Sequence, residues 1–230
     1  MLAQKLMRSF ILALALLPAA ALAQAAKAEK VEDVKAVASR VDAKYNRLQT
    51  LTADFTEIYS GLGMNRRESG SLTLKRSGKM RWDFVSPKQK LFVSDGKTAY
   101  FYVPEERQVR KASVKKLDDL HSPIRYLLGR SKLNSEFKDL KLEAGVTPSK
   151  PGNVILSGIP KHLADRVERV LLEISPESMI ERIVIREIDG ATTEFRFSNL
   201  IQNQAIADDR FRFQPPAGVE TIESAELTGR

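Results

Sequence analysis

Short runs in which apolar and polar residues alternate fill most of this chain from residue 52 onward, and they constrain its fold more than any other feature. In the run 70–76, Leu72 and Leu74 share one side and polar residues share the other. A period of two residues is that of a β-strand with one buried face. Turn sequences such as Asp95-Gly96 separate the runs, and glycine tolerates the backbone of a hairpin turn. The pattern therefore predicts one curved, antiparallel sheet.

We predict about eleven strands from these runs, out of twelve candidate segments. The candidates are residues 52–59, 70–76, 80–84, 91–93, 98–103, 108–114, 137–144, 154–157, 167–174, 180–188, 192–198 and 211–213.

Two segments have the spacing of helices instead. Before the first strand, apolar residues recur at steps of three and four, which predicts a helix that lies against the sheet. They are Val31, Val34, Val37, Val41, Tyr45, Leu48 and Leu51. Between strands, Ser122 is a good N-cap and Pro123 suits a first helical position. Ile124, Leu127 and Leu128 follow with a short apolar face, which predicts a short central helix.

The first 23 residues have the order of a secretory signal peptide. Lys5 and Arg8 precede an apolar run at 10–17, and Ala21 and Ala23 form a small-x-small cleavage site. We expect cleavage after Ala23, export to the periplasm, and a single domain over residues 24–230. The chain has no cysteine, so the mature protein is expected to carry no lipid anchor and no disulfide.

The charge of the chain limits its partners. The formal net charge is +8, and removing residues 1–23, which carry two basic residues and no acidic one, lowers it by two to +6. An excess of positive charge favours anionic surfaces such as lipid headgroups or an acidic protein. Acidic residues are interleaved with the basic ones, so no nucleic-acid site is predicted.

Residues that carry out catalysis are scarce. His121 and His162 are the only histidines and have no metal-ligand spacing. GxSxG, Walker and GxGxxG motifs are absent, so the sequence predicts no enzyme, no metal site and no cofactor.

Two features remain open to more than one interpretation. Arg76 has the same parity as Leu72 and Leu74, so a continuous strand would point it to the apolar side, where it needs acceptors. Alternatively the strand ends at Lys75 and Arg76 lies in an exposed turn. The aromatic residues between 82 and 102 would suit an ordinary core as well as a ligand cavity.

An ordered set of motifs resembles the LolA family of periplasmic outer-membrane lipoprotein carriers. It comprises 70–76 (GSLTLKR), 80–82 (MRW), 93–98 (VSDGKT), 100–104 (YFYVP), 108–109 (QV), 122–128 (SPIRYLL) and 211–219 (FRFQPPAGV), preceded by 51–57 (LTADFTE). Ser77 departs from the family pattern, which has proline there.

The resemblance implies a mainly β fold of the α+β kind: an unclosed antiparallel β-barrel, with the N-terminal and central helices forming a lid over an apolar cavity. We expect the cavity to be lined by Leu72, Leu74, Met80, Trp82, Phe84, Phe92, Tyr100 and Tyr102. The expected lid and latch residues are Arg76, Pro123, Ile124, Leu127 and Leu128. Arg76 matches the functional arginine of the family, which favours the latch interpretation.

The implied function is that of a monomeric periplasmic chaperone that binds lipoprotein acyl chains. Its implied partners are an inner-membrane ABC transporter that releases lipoproteins and an outer-membrane receptor that accepts them. Two alternatives stay open at this point. They are a lipid or glycolipid carrier on another export route, and a periplasmic sensor or regulatory binding module of the same fold.

Overall fold

The computed structural model describes residues 33–114, 127 and 132–224, all of which lie in the compact unit Glu32–Arg230. The predicted signal peptide, residues 1–23, is outside the described residues. So are three of the predicted lid residues, Pro123, Ile124 and Leu128.

The described residues include two α-helices and twelve strands. The helices are α1 (Val34–Arg47) and the one-turn α2 (Leu133–Glu136). The strands are β1 (Thr50–Gly61), β2 (Met64–Lys75), β3 (Lys79–Ser86), β4 (Lys90–Asp95), β5 (Thr98–Val103), β6 (Gln108–Ser113), β7 (Phe137–Leu142), β8 (Val154–Pro160), β9 (Val167–Ile174), β10 (Ile180–Glu187), β11 (Thr192–Gln202) and β12 (Glu220–Glu223).

All twelve strands belong to one sheet, in the order β12-β6-β5-β4-β3-β2-β1-β11-β10-β9-β8-β7. Most neighbours are hairpin partners in sequence, and the long-range pairing of β1 with β11 joins the two series of hairpins. Within the described residues, the outermost strands β12 and β7 do not pair with each other. The sheet is therefore unclosed, which confirms the predicted fold class.

The last strand differs from the prediction. We expected about eleven antiparallel strands, one of them at 211–213. The structure instead has a 3-10 turn at Asp208–Phe211 and a twelfth strand, β12, which runs parallel to β6. Three of its four residues are exposed and they carry little alternation, so the strand depends on pairing with the distant edge strand β6.

The sheet bends towards the face that carries Leu72, Leu74 and Trp82, which we name the concave face. In a flat sheet, β3 and β11 would lie about 14 Å apart, yet the rings of Trp82 and Phe195 are only 6.0 Å apart. A bulge between Ser69 and Gly70 contributes to the bend. A Cβ at Gly70 would lie 1.9 Å from the carbonyl oxygen of Asp83, so only glycine fits there.

Helix α1 lies on the concave face. Asp33 caps it, with a carboxylate oxygen that accepts a hydrogen bond from the Lys35 N–H at 3.3 Å. The predicted apolar stripe is confirmed at Val37, Val41 and Tyr45, which are all but fully buried. They pack into a core formed by the concave sides of the strands.

The opposite, convex face is covered near β2–β5 by the chain that follows β11. Asp208 lies 2.7 Å from Lys75 and 2.6 Å from Lys79, and hydrogen bonds from these two lysines lower the pKa of Asp208 to about 2. Beyond it, Phe211 is buried and the ring of Phe213 lies on Tyr100 and Tyr102. Both faces of this part of the sheet are therefore occupied.

Candidate functional site

The floor of the concave face is a cluster of aromatic rings. Phe55 of β1 lies edge-on to Trp82 at 4.7 Å and to Phe84 at 4.9 Å, both of β3. From β11, the rings of Phe195 and Phe197 approach Trp82 to 6.0 and 6.4 Å. The indole N–H of Trp82 is buried and has no hydrogen-bond partner within the described residues.

Six of the eight predicted cavity residues lie on this face. Leu72, Leu74, Met80 and Trp82 are buried, and Phe84 and Phe92 are half-buried against the same core. Register explains the grouping, because Leu72 pairs with Trp82 across β2–β3 and Trp82 pairs with Phe92 across β3–β4. Directly paired residues of antiparallel strands point to the same side.

Tyr100 and Tyr102 do not join them, and the expectation for these two residues is corrected. Phe101 pairs with Phe92 and shares its face, so its two neighbours point to the convex side. There they contact Phe213 at 5.5 and 5.7 Å. Phe101 takes the concave position instead and is 7% exposed.

Sequence reasoning missed three floor residues, Phe55, Phe195 and Phe197. Their alternation predicts strands but does not show that β1, β3 and β11 are close in space. Only Phe55 carried a signal, because it falls in the 51–57 motif of the resemblance.

Helix α1 covers this floor, and polar contacts tie it to β10 and to α2. The buried hydroxyl of Tyr45 accepts a hydrogen bond from the N–H of Ile180 on β10 at 2.9 Å. Asp42 accepts one from the N–H of Leu133 on α2, also at 2.9 Å. The buried side chains of α1 all belong to the hydrophobic core; they are Val37, Ala38, Val41 and Tyr45.

The predicted latch residue, Arg76, is exposed and lies just after β2. Its guanidinium donates a hydrogen bond to the carbonyl oxygen of Asn46 at 2.8 Å, and its backbone N–H donates to Gln49. The last carbonyls of a helix have no partner within it, so Arg76 satisfies one of those of α1. Within the described residues, the side-chain hydrogen bond of Arg76 is therefore made to α1.

The next residue, Ser77, has a φ of +75°. Proline is restricted to a φ near −65°, so the proline of the family pattern does not fit this turn. The turn after Arg76 therefore has a backbone conformation that the proline of the family pattern could not adopt.

Leu127 is the one predicted lid residue that is described. It is 4% exposed and packs in the same core as α1. With residues of α1, β1 and β2 it lines a small pocket next to Arg76. The other lining residues are Tyr45, Leu48, Gln49, Thr50, Leu51, Leu74 and Lys75.

At the end of the floor away from Arg76, charged side chains replace aromatic ones. Glu57 and Glu68 face each other across β1–β2. Lys90 binds Glu68 and lies 5.7 Å from the centre of the Phe84 ring, while Arg66 lies 3.5 Å from Glu57 and 3.4 Å from Glu68. Burial, only partly offset by the charge of Arg66, raises the pKa of Glu57 above its usual value.

The described residues hold no group of three or more His, Asp or Glu side chains that converge as metal ligands. His162 is exposed and His121 lies outside the described residues. No helix in the described ranges is long and apolar enough to cross a bilayer.

Comparison with known proteins assigns the family. Residues 46–214 match the family described as outer membrane lipoprotein carrier protein LolA. The chain belongs to this family. The outer-membrane lipoprotein carrier protein of Chromobacterium violaceum is 32% identical over 206 residues, 89% of this chain and 92% of that protein. The protein of the same name from Nitrosospira multiformis is 31% identical over 179 residues, 76% of this chain and 82% of that one.

The fold agrees with that of a solved structure. An uncharacterized conserved protein from Thermus thermophilus superposes with a TM-score of 0.54 at 13% identity, covering 84% of this chain and all of that one. Membership in the LolA family confirms the resemblance found in the sequence. The matched range includes the aromatic floor and Arg76, whereas most of α1 and all of β12 lie outside it.

Proposed function

We propose that this protein binds the acyl chains of outer-membrane lipoproteins on its aromatic floor and carries them across the periplasm. The proposed donor is an inner-membrane ABC transporter, and the proposed acceptor is a receptor at the outer membrane. The signal peptide at residues 1–23, cleaved after Ala23, would direct export to the periplasm. The mature protein would act there as a monomer. Family membership supports this role, since the relatives are named as outer-membrane lipoprotein carriers.

One observation carries the proposal: an apolar floor covered by a helix whose buried side chains pack in the same hydrophobic core. Val37, Val41 and Tyr45 rest on the sheet as an alkyl chain would. A helix can be exchanged for a fatty acyl chain without leaving many buried polar groups unpaired. Its Tyr45–Ile180 hydrogen bond is buried, and the exchange would break it.

The energies of the exchange are close to balance. Sheltering a chain of about sixteen carbons contributes on the order of 10 kcal/mol at about 0.8 kcal/mol per methylene. Uncovering the three large side chains of α1 costs roughly 6 kcal/mol at about 2 kcal/mol each. A small difference suits a carrier, because the cargo must also leave, and re-covering of the floor by α1 favours its release.

Arg76 and the predicted central helix complete the proposed cover. Arg76 ties the C-terminal end of α1 to the turn after β2. Leu127 packs beside it, and we propose that the segment around Pro123, Ile124 and Leu128 moves with α1 when cargo enters. The role is one of binding without catalysis, so energy for loading would come from the transporter.

Quenching of Trp82 fluorescence tests the proposal. The chain has a single tryptophan, and it lies in the aromatic floor. A lipopeptide with brominated acyl chains should quench the fluorescence of Trp82 by contact. The same lipopeptide without bromine, and the peptide without acyl chains, should not.

A matched control places the probe on the other face. In the double variant Trp82→Phe, Tyr100→Trp, the tryptophan lies on the convex side, and we expect no quenching. Equal quenching of both probes, or no binding of the acylated peptide, would rule out the floor as the acyl site.

A further inference from the structure

Exposed apolar side chains gather at one end of the sheet. Among the described residues, five large apolar side chains are exposed, and Ile201 is the only one of them at the Arg76 end. The other four lie at the opposite end, in the β1–β2 turn, at the end of β3 and in the β10–β11 turn. They are Leu62, Met64, Val85 and Ile188.

The β1–β2 and β10–β11 turns are neighbours. Ser60 pairs with Thr192, and a Cβ built on Gly61 would lie 2.6 Å from that of Ala191. The end of β2 from Met64 to Glu68 has no partner on β3, because the pairing of these strands begins at Ser69. The hairpin tip thus extends beyond β3.

Leu62 is an unusual residue for its position. It occupies the tip with a φ of +52° and is followed by Gly63 at +76°. Turns with two positive φ values strongly favour Gly, Asn and Asp. Leu62 is 71% exposed, so neither its backbone nor its packing benefits the fold.

The exposed charges of the β1–β2 hairpin itself are basic, whereas the neighbouring β10–β11 turn carries the exposed Asp189. Arg66 and Arg67 follow Met64 and are exposed, and Arg67 has no ion pair or hydrogen bond within the described residues. The nearest acids of the hairpin, Glu57 and Glu68, are 15% and 6% exposed and point into the concave face. The hairpin therefore presents apolar side chains at its tip, with the positive charges of Arg67 and of the ion-paired Arg66 behind it.

We propose that the β1–β2 hairpin is a membrane-contact element that inserts Leu62 and Met64 into the surface of an anionic bilayer. Arg66 and Arg67 would lie at the height of the anionic headgroups, as in interfacial segments that combine apolar and basic residues. A protein partner fits less well, because a stable interface needs roughly 800 Å² from each side and a two-residue turn presents a point. This inference goes beyond acyl-chain binding and does not depend on it.

Flotation with lipid vesicles tests the proposal. The protein is purified from the periplasmic fraction in its naturally processed form, and its N-terminus is checked by mass spectrometry. It is mixed with vesicles of phosphatidylcholine, with or without phosphatidylglycerol. We expect association with the anionic vesicles and weaker association with the neutral ones.

The decisive variant is Leu62→Asn. Asparagine accepts the left-handed backbone better than leucine, so the melting temperature should stay the same or rise. Vesicle partitioning should fall about tenfold, as expected for loss of one inserted leucine side chain. Arg67→Gln should lower binding to the anionic vesicles about fivefold, and the control Ile201→Asn, at the other end of the sheet, should bind like wild type.

Three results would overturn the proposal. They are a wild-type protein that binds neither kind of vesicle, a Leu62→Asn variant that floats as well as wild type, and a wild-type dimer in sedimentation that Leu62→Asn dissociates. The last result would assign the tip to a second copy of the chain. Acyl binding, read from Trp82 quenching, should be unchanged in Leu62→Asn, which separates this proposal from the proposed function.

Discussion

The hydroxyl of Tyr45 on α1 accepts a hydrogen bond from the backbone N–H of Ile180 on β10, at 2.9 Å and fully buried. The β9–β10 pairing is irregular just after Ile180, and the tyrosine supplies an acceptor at this point. Burial raises the pKa of Tyr45, so the hydroxyl stays neutral. This contact joins the covering helix to the half of the sheet that contains β7 to β11.

Tyr45→Phe removes that acceptor and leaves a buried N–H unpaired. We expect a loss of about 1–3 kcal/mol in the free energy of unfolding and faster amide hydrogen exchange in α1. Tyr59→Phe is the matched control, because Tyr59 lies on β1, is only half-buried, and keeps its ring beneath Arg66 after the change. A Tyr45→Phe protein that unfolds and exchanges like wild type would show that the contact does not hold α1.

Arg76→Leu should loosen the C-terminal end of α1. The exposed hydrogen bond to Asn46 contributes about 1 kcal/mol or less to stability, so the fold should remain. We expect a changed rate of release of an acylated peptide, measured by stopped-flow recovery of Trp82 fluorescence.

The control for this variant is Arg47→Leu. Arg47 is an exposed arginine in the last turn of α1 and has no hydrogen bond or ion pair among the described residues. Arg47→Leu removes one positive charge near the end of α1, as Arg76→Leu does. If both variants release cargo at the same rate, charge and not the latch contact governs release.

Glu57→Gln should stabilise the protein at neutral pH. Burial raises the pKa of Glu57, so the folded state holds its proton more tightly than the unfolded chain does. The resulting stability is present below the unfolded pKa of about 4.3 and is lost as the pH rises through the folded pKa.

Thermal melts at several pH values check this sign. The melting temperature of Glu57→Gln should exceed that of wild type at pH 7, and the two should converge near pH 4. Glu168→Gln, on an exposed position of β9, is the control and should melt like wild type at every pH. A Glu57→Gln protein that is less stable than wild type at pH 7 would mean that the ion pair with Arg66 outweighs burial.

Glu173→Gln should have the opposite effect. Glu173 is 1% exposed, on the convex side of β9. It accepts hydrogen bonds from Ser149 and Asn153 and forms an ion pair with Arg182. Burial opposes its ionisation, but these contacts outweigh it and lower the pKa of Glu173. Its stabilising effect is therefore present above the unfolded pKa and is lost as the pH falls through the folded one.

Removing one member of a buried ion pair costs about 3 kcal/mol or more, so we expect Glu173→Gln to lower the free energy of unfolding by that order at pH 7. Urea unfolding at pH 7 and pH 3 measures it, and the difference should shrink at the lower pH. Equal losses at both pH values would point to altered packing of the 147–153 loop instead of lost charge.

The sequence by itself determined the local elements and the family. Alternation over 70–76 and 80–84 predicts two strands that share one apolar side, and the structure confirms Leu72, Leu74, Met80 and Trp82 on that side. The apolar stripe of α1 predicts its buried face in the same way. These patterns are readable because each depends on residues that are close together in the chain.

Only the tertiary structure decided which side of a strand faces the site and which distant residues meet there. Alternation along β5 assigns its residues to two faces but does not show which face is the concave one. Both faces are covered, one by Phe213 and the other by the core. For that reason Phe101, and neither tyrosine beside it, lies on the concave face. Likewise, Phe55, Trp82 and Phe195 form one cluster because β1 pairs with β11, more than a hundred residues away, and hydrophobic burial can select such a pairing only when the whole sheet assembles.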